Sequence, residues 1–139
     1  MHVNNTTVTA NKLIRNSQQI KQIVDFGGIE NGNIHPTDID GVLEFDNQAL
    51  ILLEIKYKGA TIPTGQRLTL ERISDSWHTG KSIILKIEHK YTGVGDIPIH
   101  HCRITKIYLK KKWYNVNYTD VIGFLNVIGE KWNIKKCKF

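Results

Sequence analysis

A single α/β domain with a central mixed β-sheet flanked by helices is the fold class that this sequence predicts. Three observations carry it: aliphatic runs of strand length, apolar stripes at helical spacing between them, and turn-forming residues at most junctions. With 139 residues, the chain makes one domain (1–139) of a size that buries a proper core.

The first element is a helix over residues 9–26, with apolar positions at Leu13, Ile14, Ile20, Ile23 and Val24. Gly27-Gly28 stops it, because glycine adopts the left-handed conformation at little cost. Asn31-Gly32 then marks a tight turn. Residues 38–45 and 49–57 form a β-hairpin around Asp46-Asn47-Gln48. The second of these strands is almost continuously apolar, as a strand buried on both faces should be.

Thr64 caps a helix that runs to about residue 78, where Gly80 stops it. Its inner face is Gln66, Leu70, Ile73 and Trp77. Residues 82–88 alternate well enough for another strand, and 92–98 form a glycine-rich loop. Residues 100–109 and 113–117 are two further strands, joined by a turn around Lys110-Lys111-Lys112. Thr119 caps a last helix with the stripe Val121, Leu125, Ile128 and Trp132. The resulting order is α-β-β-α-β-β-β-α.

Composition narrows the function classes. Apolar content of 40% and charged content of 23% are those of an ordinary globular protein. The longest apolar run, 49–53, falls far short of the ~20 residues of a membrane span. Met1-His2-Val3-Asn4-Asn5 lacks the basic-then-apolar layout of a secretion signal, so a cytoplasmic protein without a membrane segment is expected. Cys102 and Cys137 are too few for a disulfide scaffold and form no C-x-x-C pair. A formal charge of +6 attracts phosphate polyanions.

The chemistry centres on Glu54-Ile55-Lys56. An acid two residues before a lysine is expected about once by chance in a chain this rich in lysine, and Glu88-His89-Lys90 is a second instance. Geometry separates the two. With the hairpin turn centred near Asn47, Asp40 stands opposite Glu54 and Asp38 opposite Lys56. All four are even-numbered, so alternation puts them on one face of the sheet. Glu54 also lies within a run of aliphatic residues, where charges are rare unless they are paired or bind metal.

Phosphodiester hydrolysis wants such an arrangement. A divalent cation polarises the phosphate and lowers the pKa of an attacking water. Mg²⁺ prefers oxygen ligands and keeps several waters, so Asp40, Glu54 and the Ile55 carbonyl suffice to hold it. Lys56, one side chain along, can orient the water and stabilise phosphoryl charge. The bland alternative is a salt bridge between Asp38 and Lys56, with Asp40 and Glu54 as ordinary surface acids.

Thr37-Asp38-Ile39-Asp40-Gly41, Glu54-Ile55-Lys56 and Gly65-Gln66-Arg67 together resemble the signature of the PD-(D/E)XK nuclease superfamily, over about residues 10–90. Pro63-Thr64-Gly65-Gln66-Arg67 and the small size are similar to its phage- and prophage-encoded members. The resemblance implies a restriction-endonuclease-like α-β-β-β-α-β core and cleavage of DNA with Mg²⁺, or Mn²⁺ in its place. It implies metal ligation by Asp40 and Glu54, with Asp38 as a supporting or alternative ligand. It also implies a catalytic role for Lys56 and a place beside the site for Gln66. An endonuclease of phage DNA recombination, repair or processing, acting in the host cytoplasm on substrates such as branched DNA, is the function it suggests. Two departures stand out. Threonine (Thr37) replaces the proline of the family's name, and Gln18 and Gln19 stand where many members carry a helix glutamate, which favours a single cation.

Lys58, Arg67, Lys110, Lys111, Lys112, Lys135 and Lys136 are the candidate DNA contacts, the last two within a basic tail that includes Lys131 and Lys138. No stretch resembles a base-reading helix. Cutting both strands of a duplex would favour a homodimer. His100-His101-Cys102, with His89 and Cys137, fits no standard zinc spacing. The rival readings are a catalytically inactive nuclease fold that binds DNA or protein, and an RNA-binding domain using Tyr108, Trp113 and Tyr114.

Overall fold

The computed structural model describes residues 25–139; of the helix expected over 9–26, residues 9–24 lie outside them, and Asp25 and Phe26 are not helical. The chain divides at Pro36. Before that point, an isolated antiparallel bridge joins Asn31 to Ile34 across Gly32, whose φ of 62° is the conformation expected at this turn.

Residues 37–139 hold a five-stranded mixed sheet whose spatial order is its sequence order. Strands β1 (Gly41–Phe45) and β2 (Ala49–Tyr57) pair antiparallel, with Gly41 opposite Leu53 and Phe45 opposite Ala49. Their turn uses Asp46 (φ 50°) and Asn47 (φ 66°), the residue types that tolerate left-handed backbone best after glycine. Helix α1 (Thr64–Asp75) then crosses to β3 (Ser82–His89), which lies parallel to β2. Strands β4 (Arg103–Leu109) and β5 (Lys112–Tyr118) complete the sheet as an antiparallel meander, and α2 (Val121–Lys131) follows.

Alternation divides the sheet into two faces. Ala49, Ile51, Ile83, Leu85, Ile87, Ile104 and Ile107 pack against Val121, Leu125 and Ile128 of α2. Leu50, Leu52, Ile84 and Tyr108 pack against Leu70, Ile73 and Trp77 at α1. β2 is therefore buried on both faces, as its unbroken aliphatic run predicts. Among the described residues, no helix is long and apolar enough to cross a membrane.

Several boundaries differ from those expected, each for a local reason. β1 starts at Gly41 rather than residue 38, because the Asp40 carboxylate, not a backbone carbonyl, accepts the Ile55 N–H (2.8 Å). Pro63, not Thr64, occupies the cap position of α1, and no side chain caps it. That helix ends at Asp75, where Ser76 Oγ donates to the Ile73 carbonyl and the chain turns. Asp120, not Thr119, caps α2 by accepting the Gly123 N–H at 2.9 Å. Residues 99–101 form a 3₁₀ turn rather than the start of a strand. The turn before β5 is Lys110-Lys111 alone, both at positive φ, while Lys112 already belongs to the strand. Two strands precede α1 among the described residues, as in the order expected from the sequence, whereas the core implied by the resemblance has three.

Candidate active site

The hairpin register is the one the sequence implied, since Gly41 opposite Leu53 brings the preceding Asp40 level with Glu54. Leu50, Leu52, Glu54 and Lys56 alternate onto the α1 face. α1 covers the first two with Leu70 and Ile73, and the carboxyl end of β2 carries the charged pair beyond that cover. Asp40 is fixed there by the Ile55 N–H. Gln66 Nε2, from the first turn of α1, donates to the Asp38 carbonyl (3.1 Å) and Oδ1 (3.4 Å), tying the helix to the 38–40 segment. Asp38, Asp40, Glu54, Lys56 and Gln66 thus come together at one end of one face.

Glu54 is the unusual member. Its side chain is fully buried (0% exposed), and neither carboxyl oxygen has a hydrogen-bond partner among the described residues. Its pKa is pushed up to about 8. Burial is the largest cause. Next comes the adjacent Asp40 carboxyl, which can accept a hydrogen bond only from a protonated Glu54 and otherwise repels its charge. Lys56 works in the opposite direction, and Asp38 adds further repulsion. An orphaned buried carboxyl beside a second carboxyl is therefore present where the sequence placed a metal ligand, and surface acids do not describe it. No ion pair among the described residues joins Asp38 to Lys56.

These residues fit a hard, oxygen-preferring cation. Asp40 and Glu54 would be its carboxylates; among the described residues no group of three or more His, Cys, Asp or Glu side chains is placed to hold a metal. Mg²⁺ is commonly held by one or two carboxylates with water and substrate phosphate filling the remainder. Ile55 donates its N–H to Asp40, which sets that carboxylate beside the Ile55 backbone.

Register adds residues that the sequence pattern did not single out. Glu54 pairs with Lys86 on β3, and Lys86 with Lys106 on β4, so one row across the sheet runs Asp40, Glu54, Lys86, Lys106. Lys86 is 4% exposed, and its Nζ donates to Glu88 Oε2 at 2.8 Å. Glu88 also accepts from Thr105 Oγ1 (2.9 Å) and the Gly59 N–H (3.1 Å). Burial alone would raise the Glu88 pKa, but the bonds from Lys86, Gly59 and Thr105 outweigh it and hold the carboxylate ionised. The second E-x-K match is thus a holder of Lys86, with every oxygen occupied, in contrast to Glu54. Lys86 interrupts an aliphatic run as Glu54 does, and that signal would have found it.

The candidate DNA contacts separate into two groups. Lys58 follows β2 and Arg67 stands on α1, both near the acids. Lys110, Lys111 and Lys112 turn at the opposite end of the sheet, the end at which β3 begins. Lys136 pairs with Asp46 in the β1–β2 turn at 2.6 Å, which puts Lys135 and Lys136 at that far end as well. His100 and His101 lie in the 3₁₀ turn, where Tyr91 hydrogen-bonds His101, while Cys102 and Cys137 are buried and free. No family model, curated protein or solved structure matches this chain.

Proposed function

We propose that this chain is a DNA nuclease, hydrolysing phosphodiester bonds with one Mg²⁺ or Mn²⁺ ion held by Asp40 and Glu54. The observation that carries the reading is the fully buried Glu54 carboxyl beside the Asp40 carboxyl and near Lys56, with no hydrogen-bond donor on either oxygen among the described residues. The cation, when bound, would polarise the phosphate and supply a water of lowered pKa. Lys56, on the same face, is suited to orient that water and to offset the negative charge that develops on the phosphoryl oxygens. Asp40 is preset by the Ile55 N–H, which engages one of its two oxygens. Gln66 acts on the site through Asp38, holding the 38–40 segment against α1. Of the cations that the sequence singles out for DNA, Lys58 and Arg67 stand at this end of the sheet and are suited to the strand being cut.

The resemblance to the PD-(D/E)XK superfamily supports the same reading, and the β-β-α-β order found from Gly41 to His89 agrees with the later part of that core. The complete acid, acid and lysine set favours an active enzyme over an inactive copy of the fold. A phage-type nuclease of the host cytoplasm, dimeric where both strands are cut, is part of the same proposal. Incubation with supercoiled, linear and branched DNA, with and without Mg²⁺ or Mn²⁺, tests it. Cleavage that requires the cation is expected, and failure to cut any of the three with either ion would overturn the reading.

A further inference from the structure

Beside Glu54, on the α1 face, lies a cleft of about 370 Å³ lined by Thr61, Ile62, Arg67, Lys86, Lys106 and Trp113. Three elements each bring one cation to it: α1, β3 and β4. Two of the three are already balanced, Arg67 by Glu71 (2.7 Å) and Lys86 by Glu88 (2.8 Å). Lys106 is exposed and enters no ion pair among the described residues, so the cleft keeps one positive charge. That is the complement of a single phosphodiester.

The remaining wall is apolar and aromatic. Trp113 is fixed in place by its Nε1–H, which donates to Glu71 Oε2 at 2.6 Å, and by the Tyr108 ring 5.2 Å away. The same Glu71 oxygen accepts from Arg67, so one carboxylate sets both the guanidinium and the indole. A cation cluster joined to a rigid aromatic wall, in a volume of small-ligand size, matches a nucleotide: charge at the phosphate, a flat apolar ring at the base. In a continuous duplex both faces of a base are covered by its neighbours, and only an unstacked base can lie against an aromatic side chain.

We infer that this cleft binds one unpaired nucleotide of the DNA strand adjacent to the phosphate that is cut, its phosphate on Lys106, Lys86 and Arg67 and its base against Trp113 and Ile62. The inference rests on the nuclease reading for the identity of the neighbouring phosphate, and it gives that reading a substrate class. Single strands, frayed ends and branch points are taken, and uninterrupted duplex is not.

Fluorescence anisotropy with a labelled single-stranded oligonucleotide and its blunt duplex, in EDTA so that nothing is cut, tests this. The parent protein should bind the single strand at least about tenfold more tightly. Lys106→Ser should flatten the slope of log affinity against log salt for the single strand by about 0.7, the contribution of one phosphate contact. Trp113→Leu should remove the preference for single strand, and Trp113→Phe should keep it. Lys106→Ser, at an exposed position, carries the test alone if Trp113→Leu does not fold. Equal affinity of the parent for both forms would overturn the inference, as would parental slope and preference in both variants. In either case cation-dependent cleavage would leave the nuclease reading standing, whereas no binding of either DNA and no cleavage would remove both.

Discussion

Among single residues, it is the Glu54 carboxyl that couples folding to pH. Its pKa rises from 4.5 to about 8 on folding, so the folded chain holds a proton there that the unfolded chain has lost. The contribution is favourable while both states are protonated and declines as pH rises from about 4.5 through about 8. Each tenfold change in proton affinity corresponds to about 1.4 kcal/mol, so ionised Glu54 costs a few kcal/mol at the alkaline end. Glu54→Gln, which keeps the shape without the charge, should therefore be the more stable protein above pH 8 in EDTA. Its advantage should shrink as the pH falls toward 5. Urea denaturation of both proteins at several pH values would measure this, and an offset that does not change with pH would contradict it. A bound divalent cation should reverse the sign by compensating the buried charge, raising the melting temperature of the parent at pH 8 and not that of the variant.

Among the elements, the chain end after α2 behaves differently from a loose basic tail. Ile134 and Cys137 are buried, the Cys137 thiol donates to the Leu125 carbonyl (3.2 Å), and Phe139 exchanges two bonds with Asn126. Gly129 is what admits this segment. A Cβ there would meet the Cys137 carbonyl oxygen at 2.0 Å and its Cβ at 2.7 Å. Gly129→Ala should destabilise the fold by about 1–3 kcal/mol, the usual cost of overpacking. Gly65→Ala, in α1 with nothing within 4 Å, should be neutral or stabilise by up to about 1 kcal/mol. Chemical denaturation of the two variants checks the contrast, and equal effects would contradict it. The β1–β2 hairpin and its register were legible in the sequence because the turn residues fix which positions face each other. The partnership of β2 with β3 was not, because a strand reached through a helix has no turn from which to count. That difference explains why the sequence pairs Asp40 with Glu54 but leaves Lys86 and Lys106 unplaced. The end of α1 and the 3₁₀ turn escaped for a related reason: side-chain bonds to nearby backbone, such as Ser76 to Ile73, decide them locally.

Across the sheet as a whole, the cations lie at both ends while Asp38, Asp40 and Glu54 gather at one. Three residues of β4 separate Lys106, in the Glu54 row, from Leu109, and five of β2 separate Glu54 from Ala49, so Lys110, Lys111, Lys112, Lys135 and Lys136 stand roughly 10–20 Å from the acids along the strand direction. At about 3.4 Å per nucleotide, only DNA longer than roughly six nucleotides could reach all of them from the acids. Replacing those five lysines with serine should leave the affinity for shorter oligonucleotides nearly unchanged and weaken binding of longer ones. Binding measured against DNA length at fixed salt would show this, and an equal loss at all lengths would place the strand on another path. Catalysis itself is assigned to the other end, where Asp40, Glu54 and Lys56 meet. Single-turnover cleavage of a labelled DNA by the parent, Glu54→Gln and Lys56→Ala, with Mg²⁺ and with EDTA, alongside DNA binding by each, tests that assignment. The parent should cut only with Mg²⁺, and both variants should lose at least about a hundredfold in rate, a usual scale for removing one catalytic group, while binding DNA within a few-fold of the parent. Parental cleavage by Glu54→Gln would contradict it.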